Sequence, residues 1–411
     1  KLRFEKEYPG YRPIESQLTI VTIPQVKQNL VNEGQSLVEY FQLDSSLLIM
    51  TISSKNASIK QVKLPYSMDK AVDSLLQYGV YAYYGEPLIK RTKDHEISAI
   101  INYSHWAREL YQKLLEPIEG EIGESLIVVP DGPLSYVPFE ILLQDDIPKM
   151  GAFKFYPYVL LKHPLSYAYS ATLLSFMKKT HIEAGDKVLA VAPFYKGDDK
   201  VLVEYLDSIQ EKTAIGLRDS LQELPYSGEE AIGVAKILGG SFLLGSQSTK
   251  SNLYAQAGSY NILHLATHAE GNMNNSSDGY LALSSPDDHQ FEKWYYSEIF
   301  NATLPLQMVV LSACETGVGA YAEGEGVLSI SRPFALAGAK SVVASMWKVE
   351  DRSNKEINIS FYKFLEQGLS KDKALRDAKM DFLKKSQGKA SNPFFWAGMI
   401  ALGDMRPINS N

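Results

Sequence analysis

Short, continuously apolar runs, each closed by a turn and separated by helix-patterned segments, constrain this chain more than any other feature. Leu126-Ile127-Val128-Val129, Val188-Leu189-Ala190-Val191-Ala192, Met308-Val309-Val310-Leu311 and Ser341-Val342-Val343-Ala344-Ser345-Met346 are all of this type. They are too short for ordinary helices and lack the alternation of a strand with one wet face, so they read as strands buried on both sides. Between and after them, apolar residues recur at helical spacing: Ala231, Val234, Ala235 and Leu238, then Ile357, Phe361, Phe364 and Leu365, then Ala374, Leu375, Ala378 and Phe382. This rhythm predicts an α/β fold with a mostly parallel sheet flanked by helices.

The N-terminal part carries the same chemistry in a different order. After the turn signal Tyr8-Pro9-Gly10, residues 36–62 read as paired strands around Ser53-Ser54-Lys55-Asn56, and residues 67–117 as helical. The strand at 126–129 ends at Pro130-Asp131-Gly132-Pro133 and leads into Val137-Pro138-Phe139-Glu140-Ile141-Leu142. No nucleophile–base pair stands out in this unit. The polar break Glu183-Ala184-Gly185-Asp186 marks a boundary, giving a non-catalytic α/β part at 1–184 and a second part at 185–411. A charged, irregular stretch after residue 192 reads as an exposed loop. Ser227-Gly228-Glu229-Glu230 reads as a capping box, because Ser and Glu three apart can satisfy each other's end donors. A strand at Phe242-Leu243-Leu244, a helix from Ser248 to Gly258 and a strand from Asn261 to Thr267 follow.

Composition removes several function classes. A net charge of −7 and the lack of any Lys/Arg block argue against nucleic acid as a direct partner. No apolar run reaches the roughly 18 residues of a membrane span. The single cysteine excludes an internal disulfide and a multi-cysteine zinc site. It suits a reducing compartment such as the cytoplasm. The chain opens Lys1-Leu2-Arg3 without Met, and reads as part of a longer protein with an upstream module.

That one cysteine, Cys314, follows the run 308–311 through Ser312 and Ala313, and Gly317, Gly319, Gly324 and Gly326 lie beyond it. A strand that ends in a thiol on a glycine-rich turn can hold a nucleophile at the rim of a sheet. The competing reading is a small buried core residue. Ile262-Leu263-His264-Leu265-Ala266-Thr267-His268 supplies two histidines four apart. On a helix the two rings would share a face roughly 6 Å apart and could bind zinc. In a strand, the reading favoured by this short apolar run, they stand about 13 Å apart, too far for one metal. His264 then reads as a core or supporting histidine, and His268 lies at the C-terminal rim, where open parallel sheets bind ligands. A thiol and an imidazole brought together there form an activated pair.

With these motifs together, the chain resembles the CHAT family of caspase-like proteases. The resemblance rests on His264-Leu265-Ala266-Thr267-His268, Leu311-Ser312-Ala313-Cys314-Glu315-Thr316-Gly317 and Gly324-Glu325-Gly326. It extends to Ala337-Gly338-Ala339, to Ser341 through Val349 with Asp351, and to Asn392-Pro393-Phe394-Phe395-Trp396 with Gly403-Asp404. Upstream it includes Val129-Pro130-Asp131-Gly132, Pro138-Phe139-Glu140 and Leu224-Pro225. CHAT domains are relatives of caspases and separase and commonly follow tetratricopeptide repeats. The resemblance implies a caspase-like sheet at 185–411 and a degenerate caspase-like unit at 1–184.

It also implies a mechanism. Cys314 would be the nucleophile, His268 the general base and acid, and the backbone N–H groups of Cys314 and Ala269 the oxyanion donors. Caspases commonly carry Gly after the histidine; Ala269 keeps the N–H but disfavours positive φ. Some bacterial CHAT sequences look similar at this position. Candidates for a substrate pocket are Glu350, Asp351, Ser353 and Lys355, since separase-like relatives use acidic residues in this region. The alternative for Asp351 is a helix cap near Ser353. Asp278 reads as a turn residue and Glu315 as a structural hydrogen-bonder. The resemblance calls for no cofactor and no metal. It implies a protein substrate and an activating partner or upstream repeat module. The competing function is a catalytically silent, protease-like scaffold for protein interaction.

Overall fold

The computed structural model describes residues 20–84, 92–182, 187–194, 224–270, 279–285, 291–312, 328–347 and 350–409. The boundary expected at 183–186, the turn at 8–10 and the charged loop between 195 and 223 lie outside the described residues.

Strands β1 (Gln35–Leu43), β2 (Ser46–Ser53) and β3 (Ala57–Lys63) form an antiparallel meander, followed by β4 (Ser125–Val129) and β5 (Leu165–Tyr167). The later strands are β6 (Val188–Ala192), β7 (Ser241–Leu244), β8 (Ile262–Leu265), β9 (Ala269–Glu270), β10 (Tyr280–Ser284), β11 (Phe291–Tyr295), β12 (Met308–Leu311), β13 (Ser341–Ser345) and β14 (Met399–Gly403). Eleven of them make one sheet in the order β3-β2-β1-β4-β5-β14-β13-β12-β8-β6-β7, and β11-β10-β9 form a small second sheet. The apolar runs take the expected central places. Every residue of β6, β8, β12 and β13 is buried, which is why these strands show no alternation.

Apart from the edge strands β2 and β3, the sheet consists of two parallel blocks that run in opposite directions. β1, β4 and β5 are parallel to one another and to β14. β13, β12, β8, β6 and β7 are likewise mutually parallel. The blocks meet where β14 pairs antiparallel with β13. The C-terminal ends of the two blocks therefore open on opposite rims of the sheet. The turn after β4 belongs to the rim away from β8 and β12, and there the Asp131 carboxylate accepts the Gln42 N–H at 2.7 Å.

Five helices matter for the rest. They are α1 (Met68–Leu75), α2 (Lys93–Leu114), α3 (Ser227–Leu238), α4 (Asp351–Glu366) and α5 (Lys371–Lys385). The helical expectation over 67–117 is met in pieces. A π turn at Leu76–Val80 follows α1, and α2 starts anew at Thr92, whose hydroxyl accepts the His95 N–H. Gly79 lies so close to the Tyr103 backbone that a Cβ would sit at 3.0 Å, so the π turn is pressed against α2.

The capping box at Ser227 does not form. Ser227 is already inside α3 and its hydroxyl donates to the Leu224 carbonyl. Glu230 instead points inward and is buried.

A second buried carboxylate ties residues far apart in the sequence together. Glu140, on a short 3₁₀ turn, accepts the Lys379 ammonium of α5 at 3.1 Å and the Tyr167 hydroxyl at 2.6 Å. The Tyr167 oxygen in turn accepts the Phe139 N–H at 2.8 Å. Both charges are buried, so each depends on the other for its stability.

Candidate active site

β8 and β12 are neighbours in parallel register, with Leu265 opposite Leu311. His268 follows the first of these residues by three positions, and Cys314 follows the second by the same three. Cys314 itself lies outside the described residues, as do Glu315, Gly317, Gly319, Gly324, Gly326 and Asp278. The strand nature of 262–265 removes the helical geometry that a two-histidine metal site requires. Among the described residues no group of three or more His, Cys, Asp or Glu could hold a metal.

His268 stands just past the end of β8, where the chain crosses into the small sheet. Its carbonyl accepts the Ala282 N–H at 2.9 Å, and the next two residues form β9 against β10. The imidazole is buried and meets the Phe194 ring edge-on, with centroids 4.8 Å apart. Thr267 anchors the crossing, its hydroxyl donating to the Ala282 carbonyl. Ala269 is buried in β9 opposite Leu281. The small sheet thus holds the histidine segment from one side while β8 holds it from the other.

His264, in the body of β8, is fully buried and has polar company on both ring nitrogens. Nδ1 lies 3.1 Å from the Tyr362 hydroxyl, and Nε2 lies 3.0 Å from Glu230 Oε1. Burial and the nearby Glu230 carboxylate push the Tyr362 phenol far up, so it keeps its proton and donates to Nδ1. Nε2 lies close to Glu230 but makes no hydrogen bond among the described residues. His264 is buried in the strand body, where the sequence places a core or supporting histidine.

The four pocket candidates gather at the head of α4, and each has a partner within the chain. Glu350 is exposed at the N-cap and accepts the Ser353 hydroxyl at 2.6 Å. Asp351 is the first residue of the helix rather than its cap; its carboxylate crosses to accept the Tyr226 N–H at the start of α3, at 2.9 Å. Burial raises the Asp351 carboxyl to about 6; the Tyr226 bond opposes this, Glu230 adds to it, Lys355 opposes it and Glu350 adds to it. Lys355 pairs with Glu229 at 2.6 Å and lies over the Tyr226 ring at 4.7 Å.

Three polar residues of α4 were not singled out from sequence. Asn354, Asn358 and Tyr362 follow one another at four-residue intervals, so they share one helix face, and all three are buried. A polar stripe at helical period on a helix this deeply packed was the available signal.

The comparisons with known proteins bear on the family and the fold. The family model described as "CHAT domain" matches residues 105–404. Tetratricopeptide repeat protein 28 of Homo sapiens is 25% identical over 345 residues, which are 74% of this chain and 13% of that protein. The Mus musculus protein of the same name is 23% identical over 344 residues, with the same coverage of each chain. The chain therefore spans only a small part of the curated relatives it matches. The Saccharomyces cerevisiae separase–securin complex contains a chain that superposes with a TM-score of 0.51 at 10% identity, over 98% of this chain and 32% of that one. At that identity the likeness is one of fold, and the fold is caspase-like.

Proposed function

The chain belongs to the CHAT domain family, and on that premise we propose that it is a cysteine endopeptidase acting through Cys314 and His268. The observation that carries the reading is the shared offset. β8 and β12 pair in parallel register, and His268 and Cys314 each follow a registered residue by three positions in the sequence. The thiolate attacks the scissile carbonyl while His268 takes the thiol proton and returns it to the leaving amine. An acyl-enzyme results, which water then hydrolyses with His268 as base. The N–H groups of Cys314 and Ala269 serve as donors to the oxyanion. The catalytic work falls to residues 185–411, with 1–184 as the supporting unit. Glu350, exposed at the head of α4, is the acidic group best able to meet a substrate; Asp351, Ser353 and Lys355 shape its surroundings. Protein substrates, and control by an N-terminal repeat module or its partner, fit the repeat-protein relatives. Among the described residues no helix is long and apolar enough to cross a membrane.

The test is a peptide-library screen, with and without the longer protein's upstream part, combined with an electrophilic acyl probe. Cleavage and probe adducts are expected in the parent, and Cys314→Ala and His268→Ala should each remove at least about 10³-fold of activity. Chelators should leave the rate unchanged. An intact fold in which neither probe labelling nor cleavage appears with any partner overturns the peptidase reading and leaves a protease-like scaffold for protein interaction.

A further inference from the structure

A continuous buried polar chain underlies the rim of the sheet. Tyr362 donates to His264, and His264 faces Glu230. The Asn358 amide reaches Glu230 Oε1 at 2.6 Å and Ser312 Oγ at 3.1 Å, and the Asn354 amide reaches Ser312 Oγ at 2.7 Å. Six side chains from four parts of the fold take part: one each from β8 and α3, three from successive turns of α4, and Ser312 just past β12. All six are at most 5% exposed. Burying so many polar groups in a sheet–helix interface costs free energy that apolar packing would avoid, and among the described residues Asn354 Oδ1, Asn358 Oδ1 and His264 Nε2 have no hydrogen-bond partner. A network with that cost fixes something that packing alone would leave free.

What it fixes is Ser312. Both lone pairs of its hydroxyl are taken by α4 amides, which sets the direction of the strand end. Ser312 precedes Cys314 by two residues. Glu230 is the one carboxylate in the chain of contacts, and the Asn358 amide links it to Ser312.

We propose that Ser312, Asn354 and Asn358, braced by Glu230, His264 and Tyr362, are positioning residues that set where the nucleophile stands relative to His268. This rests on the Cys314–His268 reading above. The network orients the strand that carries the thiol and makes no contact with substrate.

The single cysteine makes the test direct, because iodoacetamide on the full chain reports on Cys314 alone. The pH dependence of the alkylation rate is measured for the parent, His268→Ala, Ser312→Ala, Ser312→Thr and Asn358→Leu, with thermal unfolding recorded for each. In the parent the reactive midpoint should lie below the ordinary thiol value of about 8.5, and His268→Ala should move it up. Ser312→Ala should move it in the same direction and slow peptide turnover by about tenfold, with little change in KM, as expected for a misplaced nucleophile. Ser312→Thr, which keeps the hydroxyl, should restore both. If Asn358→Leu fails to fold, the serine pair still decides the matter. A Ser312→Ala profile that superimposes on the parent's, while His268→Ala shifts, overturns the positioning role and leaves the dyad standing. A midpoint indifferent to His268 overturns both.

Discussion

At the scale of single residues, the sequence motifs name side chains whose work depends on what lies across from them. Glu230 stands three residues after Ser227, as a capping glutamate would, yet it faces the interior and meets His264 and Asn358. Asp351 sits at a helix start, as a cap would, yet it accepts from a different helix. Its folded carboxyl titrates near 6, above the ordinary 3.8, because burial disfavours the charge. An acid whose folded value is raised gives stability that is fully present below the unfolded value and is lost as pH rises through the folded one. Stability should therefore fall between about pH 4 and pH 6 by up to about 3 kcal/mol on account of this group. Asp351→Asn keeps an acceptor for the Tyr226 N–H and removes the charge. Denaturant titrations should show the variant equal to the parent near pH 4 and more stable at pH 7. A variant less stable at pH 7 would mean that the ionised carboxylate is favourable where it lies.

At the scale of elements, α4 and α5 do different jobs with the same amphipathic pattern. α4 buries Ile357, Phe361 and Leu365 beside its polar stripe, and its face is read by α3 and by the end of β12. α5 buries Lys379, whose ammonium reaches Glu140, 239 residues earlier in the chain. Removing one partner of such a pair strands the other charge, so Lys379→Met should cost about 3–5 kcal/mol in equilibrium unfolding. Adding Glu140→Gln should recover much of that loss. If the double variant is no more stable than the single one, the cost arises from packing and not from the stranded carboxylate. Gly403, at the end of β14, has φ +95° and a Cβ there would collide with the Lys340 carbonyl. Gly403→Ala should destabilise the junction of the two blocks, measured the same way.

At the scale of the whole molecule, the two parts of the chain share one sheet: β14, from the C-terminal end of the sequence, fills the place between β5 and β13. Calorimetry of the parent should therefore show one cooperative transition, and Lys379→Met should lower it as a unit. Two resolved transitions would mean that the junction at β14 is weak. Much of this architecture was legible beforehand. Continuous apolar runs such as Met308–Leu311 are too short for ordinary helices and read as strands buried on both faces, and the helical spacing between them implies their cover. The strand reading of 261–267 likewise set His264 in the body and His268 at the C-terminal end; the strand itself closes earlier, at Leu265. Spacing along the chain could not tell which strands become neighbours, nor that the blocks run in opposite directions. Those are contacts between segments far apart in sequence, decided by how whole faces pack. The same holds for Ser312, Asn354, Asn358 and Glu230, each ordinary in its own segment. Their common purpose exists only where α3, α4, β8 and β12 converge, because a buried polar group is defined by its partners, and the partners come from tertiary structure.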